Sequence, residues 1–294
     1  MSQRTDCEAA TFVPFQHRET EQSVASRFEQ QASRYAEWPA IQTCHGLYTY
    51  RQLNDAANRI AHTILEEQGA AEDRVALLLD SDVGMAASIL AVLKAGKTFV
   101  PLGPALPRAR SLYILEDSQA GLLITDSRHL AQAQQLLTQV PTLLLCLDDN
   151  LEGAAADNPG LPDDPDALAW IYYTSGSTGR PKGVVQNQRH VLHYVMNHTN
   201  ALRLTAQDRW APLSSFSANA GAYGLVSALL NGSSVCPYNI QQAGLASLAD
   251  WLLQTQATIY CSVPTVFRHF AATLAGQELF PHLRAVLMGG EPVY

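Results

Sequence analysis

The sequence predicts an α/β protein of layered, parallel-rich sheets flanked by helices. Short apolar segments alternate with helical segments along most of the 294 residues, and this alternation is typical of a parallel sheet covered on both faces. A hydrophobic fraction of 47% against 16% charged residues supplies the apolar side chains that such a sheet buries. A segment rich in Ala, Pro, Gly and Asp at 152–166 interrupts the alternation and predicts a linker between two similar subdomains.

The first predicted subdomain covers residues 21–151 and follows a polar lead-in over 1–20. Apolar residues at helical spacing, several with a glycine stop, predict helices over 21–36, 51–69, 83–96, 107–121 and 129–140. Short apolar runs predict strands over 75–80, 98–102, 122–125 and 142–147, with two further strands around a His-Gly turn in 41–50.

The second predicted subdomain covers residues 167–294. The same reasoning predicts strands over 168–174, 234–238, 258–263 and 284–290, and helices over 184–199, 247–256 and 266–276. The last residues, LMGGEPVY, predict a strand that leads into a Gly-Gly turn, which normally opens a further element. We therefore expect a truncated chain.

Composition and charge narrow the classes of function. The net charge is −8 and the pI about 5.5, and no basic stripe is visible, which argues against nucleic acid or an anionic membrane as partner. The longest apolar segment, VGMAASILAVL, is too short to span a bilayer, and the N-terminus has no secretory signal. Five scattered cysteines without a C-x-x-C pair favour reduced thiols over disulfides or structural zinc. We therefore expect a cytoplasmic enzyme without a protein-bound metal site.

The segment TSGSTGRPKG at 174–183 carries the strongest functional signal. Glycines let backbone N–H groups approach an anion, Ser and Thr hydroxyls donate to phosphate oxygens, and Lys182 supplies a point charge. A predicted strand precedes the segment and a predicted helix follows it, which is the usual setting of a phosphate-binding nest. The alternative is a flexible polar surface loop.

Two common motifs do not fit this segment. A Walker A loop needs G-x-x-x-x-G-K-[ST], but counted from Gly176 the second glycine position is Pro181, and Gly183 follows Lys182. A nucleophile elbow G-x-S-x-G also fails, because the run is Gly176-Ser-Thr-Gly179. The segment therefore belongs to another class of anion-binding loop or to none.

The longer string LAWIYYTSGSTGRPKGVV closely resembles the signature of the acyl-adenylate-forming superfamily, in particular adenylation domains of nonribosomal peptide synthetases. Other matches stand in the order of that family's core motifs: LYTYRQLNDAANRIA (47–61), LKAGKTFVPLGPALPRAR (93–110), FSAN (216–219) and LMGGEPV (287–293). The resemblance covers residues 21–294. It implies the large N-terminal core of an adenylate-forming enzyme that uses ATP and Mg²⁺.

The reaction implied by the resemblance is attack of a carboxylate on the α-phosphorus of ATP, which gives an acyl adenylate and pyrophosphate. The acyl group then passes to a thiol, usually the phosphopantetheine of a carrier protein. In such chemistry the protein positions the two anions and stabilises the departing charge. The resemblance makes Lys182 and Thr178 the catalytic candidates. It assigns the β- and γ-phosphates to Thr174, Ser175, Gly176, Ser177, Thr178, Gly179 and Lys182.

Two departures from the family pattern affect these expectations. The chain lacks the motif that stacks adenine and supplies a carboxylate for Mg²⁺, the ribose-binding Asp, and the C-terminal domain with its catalytic Lys. We therefore expect weak ATP binding and no turnover by this chain alone. Amino-acid-activating members carry Phe-Asp-x-Ser where this chain has Phe216-Ser217-Ala218-Asn219. Because an unpaired ammonium is costly to bury, we expect an aliphatic, aryl, hydroxy or keto acid without a free α-amino group.

The predicted acyl-binding residues are Phe216, Ser217, Gly221 and the pair Gly289 and Gly290. Gly221 stands where many family members place a bulky pocket wall, so its small size predicts a deepened pocket. The alternative for the aromatic residues Phe216 and Tyr223 is a place in the hydrophobic core.

Three histidines follow the glycine-rich segment on one predicted helix: His190, His193 and His198. His190 and His193 share a helix face at their spacing, but no H-E-x-x-H motif accompanies them. Structural or solvent-facing roles are favoured over a metal site.

Three functions remain open from the sequence. The first is the core of an adenylation domain that delivers an acyl group to a carrier protein. The second is an acyl-CoA ligase that uses free coenzyme A. The third is a truncated, non-catalytic ATP-binding module that acts as a scaffold.

Overall fold

Two six-stranded sheets form the framework of the protein. The computed structural model describes residues 11–69, 73–148, 153–174 and 180–292. Its α-helices are α1 (Val24–Arg34), α2 (Tyr50–Gln68), α3 (Val83–Lys94), α4 (Arg108–Ser118), α5 (Leu130–Leu137), α6 (Gln188–Leu202), α7 (Asn219–Leu229), α8 (Ile240–Ala243), α9 (Leu248–Gln254) and α10 (Pro264–Ala271). No helix of these described ranges is long and apolar enough to cross a membrane.

The strands alternate with these helices along the chain. They are β1 (Pro39–Thr43), β2 (Gly46–Thr49), β3 (Arg74–Leu78), β4 (Thr98–Leu102), β5 (Leu122–Thr125), β6 (Leu143–Cys146), β7 (Leu168–Thr174), β8 (Lys182–Asn187), β9 (Arg209–Pro212), β10 (Ser234–Val235), β11 (Ile259–Ser262) and β12 (Ala285–Met288). The first sheet has the order β12-β11-β9-β10-β1-β2, and the second has the order β6-β5-β3-β4-β7-β8.

Both sheets are parallel apart from one antiparallel pair at an edge. The antiparallel pair is β1 with β2 in the first sheet and β7 with β8 in the second. All other neighbouring strands run in the same direction. The predicted α/β fold of layered, parallel-rich sheets flanked by helices is confirmed.

The predicted linker at 152–166 does not separate the strands of one sheet from those of the other. Strands β1 and β2 precede that segment but pair within the sheet of β9 to β12, while β7 and β8 follow it but pair within the sheet of β3 to β6. A parallel strand is stable wherever both of its faces are covered, so order along the chain does not decide its sheet. The division into domains at these residues stays a prediction.

The described part of the 152–166 segment is fastened to the protein by specific hydrogen bonds. Asn158 Oδ1 accepts from Asn58 Nδ2 at 3.0 Å and from Lys94 Nζ at 3.1 Å. Asp163 Oδ1 accepts from Ser26 Oγ at 2.7 Å. The segment is therefore a strap across the surface of α1, α2 and α3, although it has the composition of a loose linker.

The helix predicted over 184–199 begins later than expected. Residues 182–187 form strand β8, and α6 starts at Gln188. Asn187 fixes that start, because its side chain accepts a hydrogen bond from His190 N at 2.9 Å. Val184 and Val185, which suggested the first helical turn, instead lie half exposed on the edge strand.

One hydrophobic cluster joins the two sheets through the helices between them. It contains Ile41 and Ile259 of the first sheet and Leu77 and Trp170 of the second. Helix α3 is buried over Met85–Lys94 and α7 is buried over Gly221–Leu229. A helix covered on all sides shows no apolar stripe, which is why the sequence pattern does not predict α7.

Candidate functional site

The glycine-rich segment connects the two strands of an antiparallel hairpin. In the β7–β8 hairpin, Thr174 pairs with Lys182 and Tyr173 pairs with Gly183. Thr174 and Lys182 are both exposed, and no carboxylate of the described ranges lies within salt-bridge distance of Lys182. The predicted phosphate ligands Ser175, Gly176, Ser177, Thr178 and Gly179 lie outside the described residues.

Two tyrosines hold the hairpin against helix α4. Tyr173 donates its hydroxyl hydrogen bond to Asp117 Oδ2 at 2.6 Å, and Tyr113 donates to the carbonyl of Pro181 at 3.2 Å. Burial and the neighbouring Asp117 carboxylate raise the pKa of Tyr173, so its phenol remains a proton donor at neutral pH. A side chain at Gly183 would lie 3.3 Å from the Tyr173 ring. Glycine there leaves room for the ring to cover the hairpin.

A cavity of about 350 Å³ lies beside this hairpin, at the carboxyl ends of β9, β11 and β12. Ligands in parallel α/β sheets characteristically bind at that end of the strands. Helices α6 and α7 supply the opposite wall. The lining residues are Tyr194, His198, Trp210, Ser214, Asn219, Ala220, Tyr223, Gly224, Cys261, Ser262, Leu287, Met288, Gly289 and Gly290.

The cavity wall is aromatic and uncharged. Among the described residues, no Asp, Glu, Lys or Arg lines it. Burial lowers the pKa of His198 and raises the pKa of Tyr194 to about 12, so both side chains are neutral near pH 7. Burial also raises the pKa of the Cys261 thiol. The arrangement suits an uncharged acyl group and gives no counter-charge to an ammonium.

The hairpin and the cavity are joined by two hydrogen bonds. Tyr223 of the cavity wall donates to Gln186 Oε1 on β8. Tyr172 on β7 donates to the carbonyl of Phe216 at 2.8 Å, and both residues are buried. The loop before α7 is therefore held by the strand that leads into the glycine-rich segment.

A serine from the second sheet completes the support of this loop. Ser81 Oγ accepts a hydrogen bond from Phe216 N at 2.8 Å and lies 2.9 Å from Ser215 Oγ. The N–H of Phe216 thus bonds to Ser81 in the loop after β3, and its carbonyl bonds to Tyr172 on β7. This fixes the loop 214–218 and with it the start of α7.

The structure brings only part of the predicted acyl-binding set to the cavity. Gly289 and Gly290 line it, and Gly290 has φ +86°, a conformation that favours glycine. Phe216 is fully buried in the core cluster that joins the sheets. Ser217 lies against Gly103, and its Oγ is buried without a described hydrogen-bond partner. Neither Phe216 nor Ser217 belongs to the cavity lining.

Gly221 has a different role from the one expected of it. A Cβ at this position would collide with the Ser215 carbonyl and would lie 2.7 Å from the Ser214 carbonyl oxygen. The glycine therefore lets α7 pack against the backbone of the preceding loop. Gly221 does not line the cavity, and its assignment to the acyl pocket stays a prediction.

Sequence reasoning did not assign the residues that form the aromatic wall. Tyr194 and His198 are four residues apart on α6 and therefore share a helix face, and their ring centroids are 4.2 Å apart. That spacing was the available signal. Tyr223, expected as a possible core aromatic, belongs both to the core cluster and to the cavity wall.

The other two histidines of α6 lie away from the cavity. His190 and His193 are exposed. Within the parts of the chain that the structure describes, no group of three or more His, Cys, Asp or Glu side chains is arranged to hold a metal ion.

Comparison with known proteins identifies the family. The AMP-binding enzyme family matches residues 28–294. Surfactin synthase subunit 2 of Bacillus subtilis (strain 168) is 37% identical over 90% of this chain, which spans 7% of that protein. Syringomycin synthase SyrB1 of Pseudomonas syringae pv. syringae is 32% identical over 90% of the chain, which spans 43% of that protein.

Solved structures share the fold. The nonribosomal peptide synthetase FmoA3, in its alpha-methyl-L-serine-AMP bound form, gives a TM-score of 0.82 at 27% identity, covering 92% of this chain and 30% of that one. The N-terminal domain of FACL13 from Mycobacterium tuberculosis gives a TM-score of 0.84 at 22% identity, covering 93% of this chain and 71% of that one.

These matches agree with the two-sheet fold in defining the class of protein. The chain belongs to the AMP-binding enzyme family, and the predicted resemblance to adenylation domains of peptide synthetases is confirmed. The chain spans only a small part of the synthetases that it matches first.

Proposed function

We propose that this chain is the ATP- and acid-binding core of an adenylation domain. It activates a carboxylic acid without a free α-amino group as the acyl adenylate, with release of pyrophosphate, and the acyl group then passes to the phosphopantetheine of a carrier protein. The observation that supports this most directly is the junction of the exposed β7–β8 hairpin with an uncharged cavity. The bonds from Tyr172 to Phe216 and from Tyr223 to Gln186 form that junction.

The hairpin has the chemistry that a nucleotide polyphosphate needs. Thr174 and Lys182 are paired at the end of the hairpin next to the glycine-rich segment. The exposed Lys182 ammonium has no carboxylate within salt-bridge distance in the described ranges. We propose that this pair, with the backbone and hydroxyls of 175–179, binds the β- and γ-phosphates together with Mg²⁺. Lys182 then stabilises charge on the departing pyrophosphate.

The cavity lining is suited to a carboxylic acid that has no amino group. Ser217 stands where amino-acid-activating members of the family carry a carboxylate; it lies against Gly103 and is not among the residues that line the cavity. The uncharged wall cannot compensate an ammonium, whose burial without a partner costs several kcal/mol. These two observations support an acid in which the α-amino group is absent.

Replacement of Lys182 by Ala tests the nucleotide assignment. We expect Lys182→Ala to weaken binding of ATP·Mg²⁺ by about tenfold to a hundredfold, because a charge-assisted bond contributes roughly 1.5–3 kcal/mol. Isothermal titration calorimetry of the chain with ATP·Mg²⁺ measures this change. Thermal unfolding should be unaffected, since Lys182 is exposed.

Arg180 provides the matched control, because it is a second exposed cation on the same hairpin. If Lys182 binds the phosphates specifically, Arg180→Ala should change the affinity by less than about threefold. Equal losses in the two variants would show general charge attraction, and unchanged ATP affinity in Lys182→Ala would contradict the proposal.

A further inference from the structure

We propose that the cavity accepts an uncharged single aromatic ring carrying a hydrogen-bonding substituent, and that His198 selects that substituent. This inference rests on the proposed function, because it concerns the acid that the chain activates. His198 lies outside the FSAN motif, on helix α6.

The size and shape of the cavity favour one flat ring. Its volume of about 350 Å³ is near the lower end of the range in which proteins hold small molecules, roughly 300–1,000 Å³. The rings of Tyr194, Trp210 and Tyr223 line it. Aromatic faces and edges pack favourably against another ring, whereas a long flexible acyl chain would need more room.

Two of the four hydroxyl groups among the lining residues are already engaged. Tyr223 donates to Gln186 Oε1, and Ser262 Oγ donates to the carbonyl of Val263 at 3.0 Å. Both bonds lie within the protein, so neither donor is free for a ligand. A polar substituent on the ring must therefore find its partner elsewhere in the wall.

Two lining residues, His198 and Trp210, have a buried ring nitrogen without a hydrogen-bond partner among the described residues, and the Trp210 indole can only donate. His198 can also accept. It lines the cavity, and its Nδ1 is buried with no hydrogen-bond partner among the described residues. A neutral imidazole offers one N–H donor and one acceptor, which matches a hydroxyl group that both donates and accepts. A buried polar group left without a partner is destabilising, so a ligand that bonds to the ring gains affinity.

The packing of His198 keeps the imidazole in one place. Its ring centroid lies 4.2 Å from that of Tyr194 and 6.4 Å from that of Trp210, with which it makes an angle of 20°. Trp210 is 1% exposed and belongs to the core. Because the ring is held between two aromatic neighbours, it can discriminate between positions of a substituent.

Direct titration of the chain with free acids tests the inference without ATP. The set consists of phenylacetate, its three ring-hydroxylated isomers, cyclohexylacetate and phenylglycine, each titrated by isothermal titration calorimetry. Relative to phenylacetate, we expect one hydroxylated isomer to bind about tenfold more tightly and cyclohexylacetate about fivefold more weakly. Phenylglycine should bind at least roughly a hundredfold more weakly, because its ammonium has no partner.

His198→Leu isolates the contribution of the imidazole. The leucine fills the same space without polar atoms, so the preference for the hydroxylated isomer should fall to about one while phenylacetate still binds. His198→Gln, which keeps a donor and an acceptor, should restore part of the preference. His190→Leu is the control, since His190 is exposed on the same helix and should leave the preference unchanged. Thermal unfolding of each variant verifies that it is folded.

The results separate this inference from the proposed function. Tighter binding of phenylglycine than of phenylacetate, or an unchanged hydroxyl preference in folded His198→Leu, would overturn the inference even if ATP binds as expected. Loss of the preference in His198→Leu together with its partial return in His198→Gln would support it. Failure of the chain to bind ATP would count against the proposed function, whatever the acid titrations give.

Discussion

The β7–β8 hairpin and the cavity beside α7 lie next to each other but are built in opposite ways. The hairpin places Thr174 and Lys182 in solvent and is held by hydrogen bonds from two tyrosines. The cavity lies against a helix that is buried over Gly221–Leu229, and its walls belong to the core that joins both sheets. Under the proposed function, backbone and charge at the surface would match a polyphosphate, while the shape of the interior would match an acyl group.

This difference predicts different consequences of substitution. Changes at the hairpin should alter ligand affinity and leave folding intact, because exposed side chains contribute little to stability. Changes at the cavity should alter both, because the same side chains hold the two sheets together. The following substitutions test that contrast, beginning with the largest expected effect.

Gly221→Ala should lower the free energy of unfolding by about 3 kcal/mol. The added methyl group would collide with the Ser215 carbonyl, and backbone cannot move aside as a flexible side chain can. Urea unfolding followed by circular dichroism measures the loss. Gly224→Ala is the control on the same helix, since its Cβ would lie 3.6 Å from Pro212 Cβ, an ordinary contact. The free energy of unfolding of Gly224→Ala should differ from that of the unchanged protein by no more than about 1 kcal/mol. Equal stability of the two variants would contradict the close packing of α7.

Asp208→Asn tests the far end of the sheet that carries the cavity. Asp208 precedes β9, is buried, and accepts two hydrogen bonds from Arg284 at 2.7 Å and one from Thr258 at 2.8 Å. Removing its charge leaves the Arg284 guanidinium without its carboxylate partner, so we expect the free energy of unfolding to fall by about 2 kcal/mol. Chemical unfolding at pH 7 measures it. A loss below about 0.5 kcal/mol would show that this end of the sheet does not depend on the ion pair.

The same carboxylate gives a pH dependence with a defined sign. Burial opposes ionisation of Asp208, but hydrogen bonds from Arg284, Thr205 N and Thr258 outweigh it, so its pKa lies below the ordinary value. Its contribution to stability is therefore complete above the unfolded pKa of about 3.9 and is lost as pH falls through the lower folded pKa. Asp208→Asn should flatten the stability profile between about pH 4 and pH 2. An unchanged profile would show that Asp208 does not contribute to the loss of stability at acidic pH.

Tyr172→Phe tests the bond that joins the hairpin to the cavity. Without the hydroxyl, the buried Phe216 carbonyl loses its 2.8 Å hydrogen bond. We therefore expect the free energy of unfolding to fall by about 1.5 kcal/mol. The affinity for acid should fall more than the affinity for ATP, because the loop 214–218 leads directly into α7. Unfolding and the two titrations measure these effects. Equal losses of acid and ATP affinity would show that the bond does not act through the cavity loop.

Tyr113→Phe should give the smallest change in stability, within about 0.5 kcal/mol. The half-buried hydroxyl donates a 3.2 Å bond to the Pro181 carbonyl, which positions the hairpin without supporting the core. We expect a weaker affinity for ATP·Mg²⁺, by about twofold to fivefold, with unchanged affinity for acid. Calorimetry with both ligands distinguishes this result from a general loss of folding. Destabilisation as large as that of Tyr172→Phe would remove the contrast between hairpin and cavity.

The sequence by itself determined the fold class and the position of the glycine-rich segment that we propose to bind the nucleotide. Strand and helix periods repeat locally, so strands β3, β4 and β5 and helix α3 follow from residue order. The glycines, hydroxyls and lysine of 174–183 are contiguous, and contiguous chemistry is visible without a structure. The pair Gly289 and Gly290, also predicted from one contiguous stretch, lines the cavity.

Only the tertiary structure decided which strands share a sheet and which residues form the cavity. β1 pairs with β10 across the predicted linker, and the wall combines Tyr194, Tyr223 and Leu287 from three separate elements. Gly221 shows the same limit, because its small size suggested open space whereas the fold brings a backbone carbonyl against it. Local pattern encodes the direction in which a side chain faces, but long-range packing determines what it meets there.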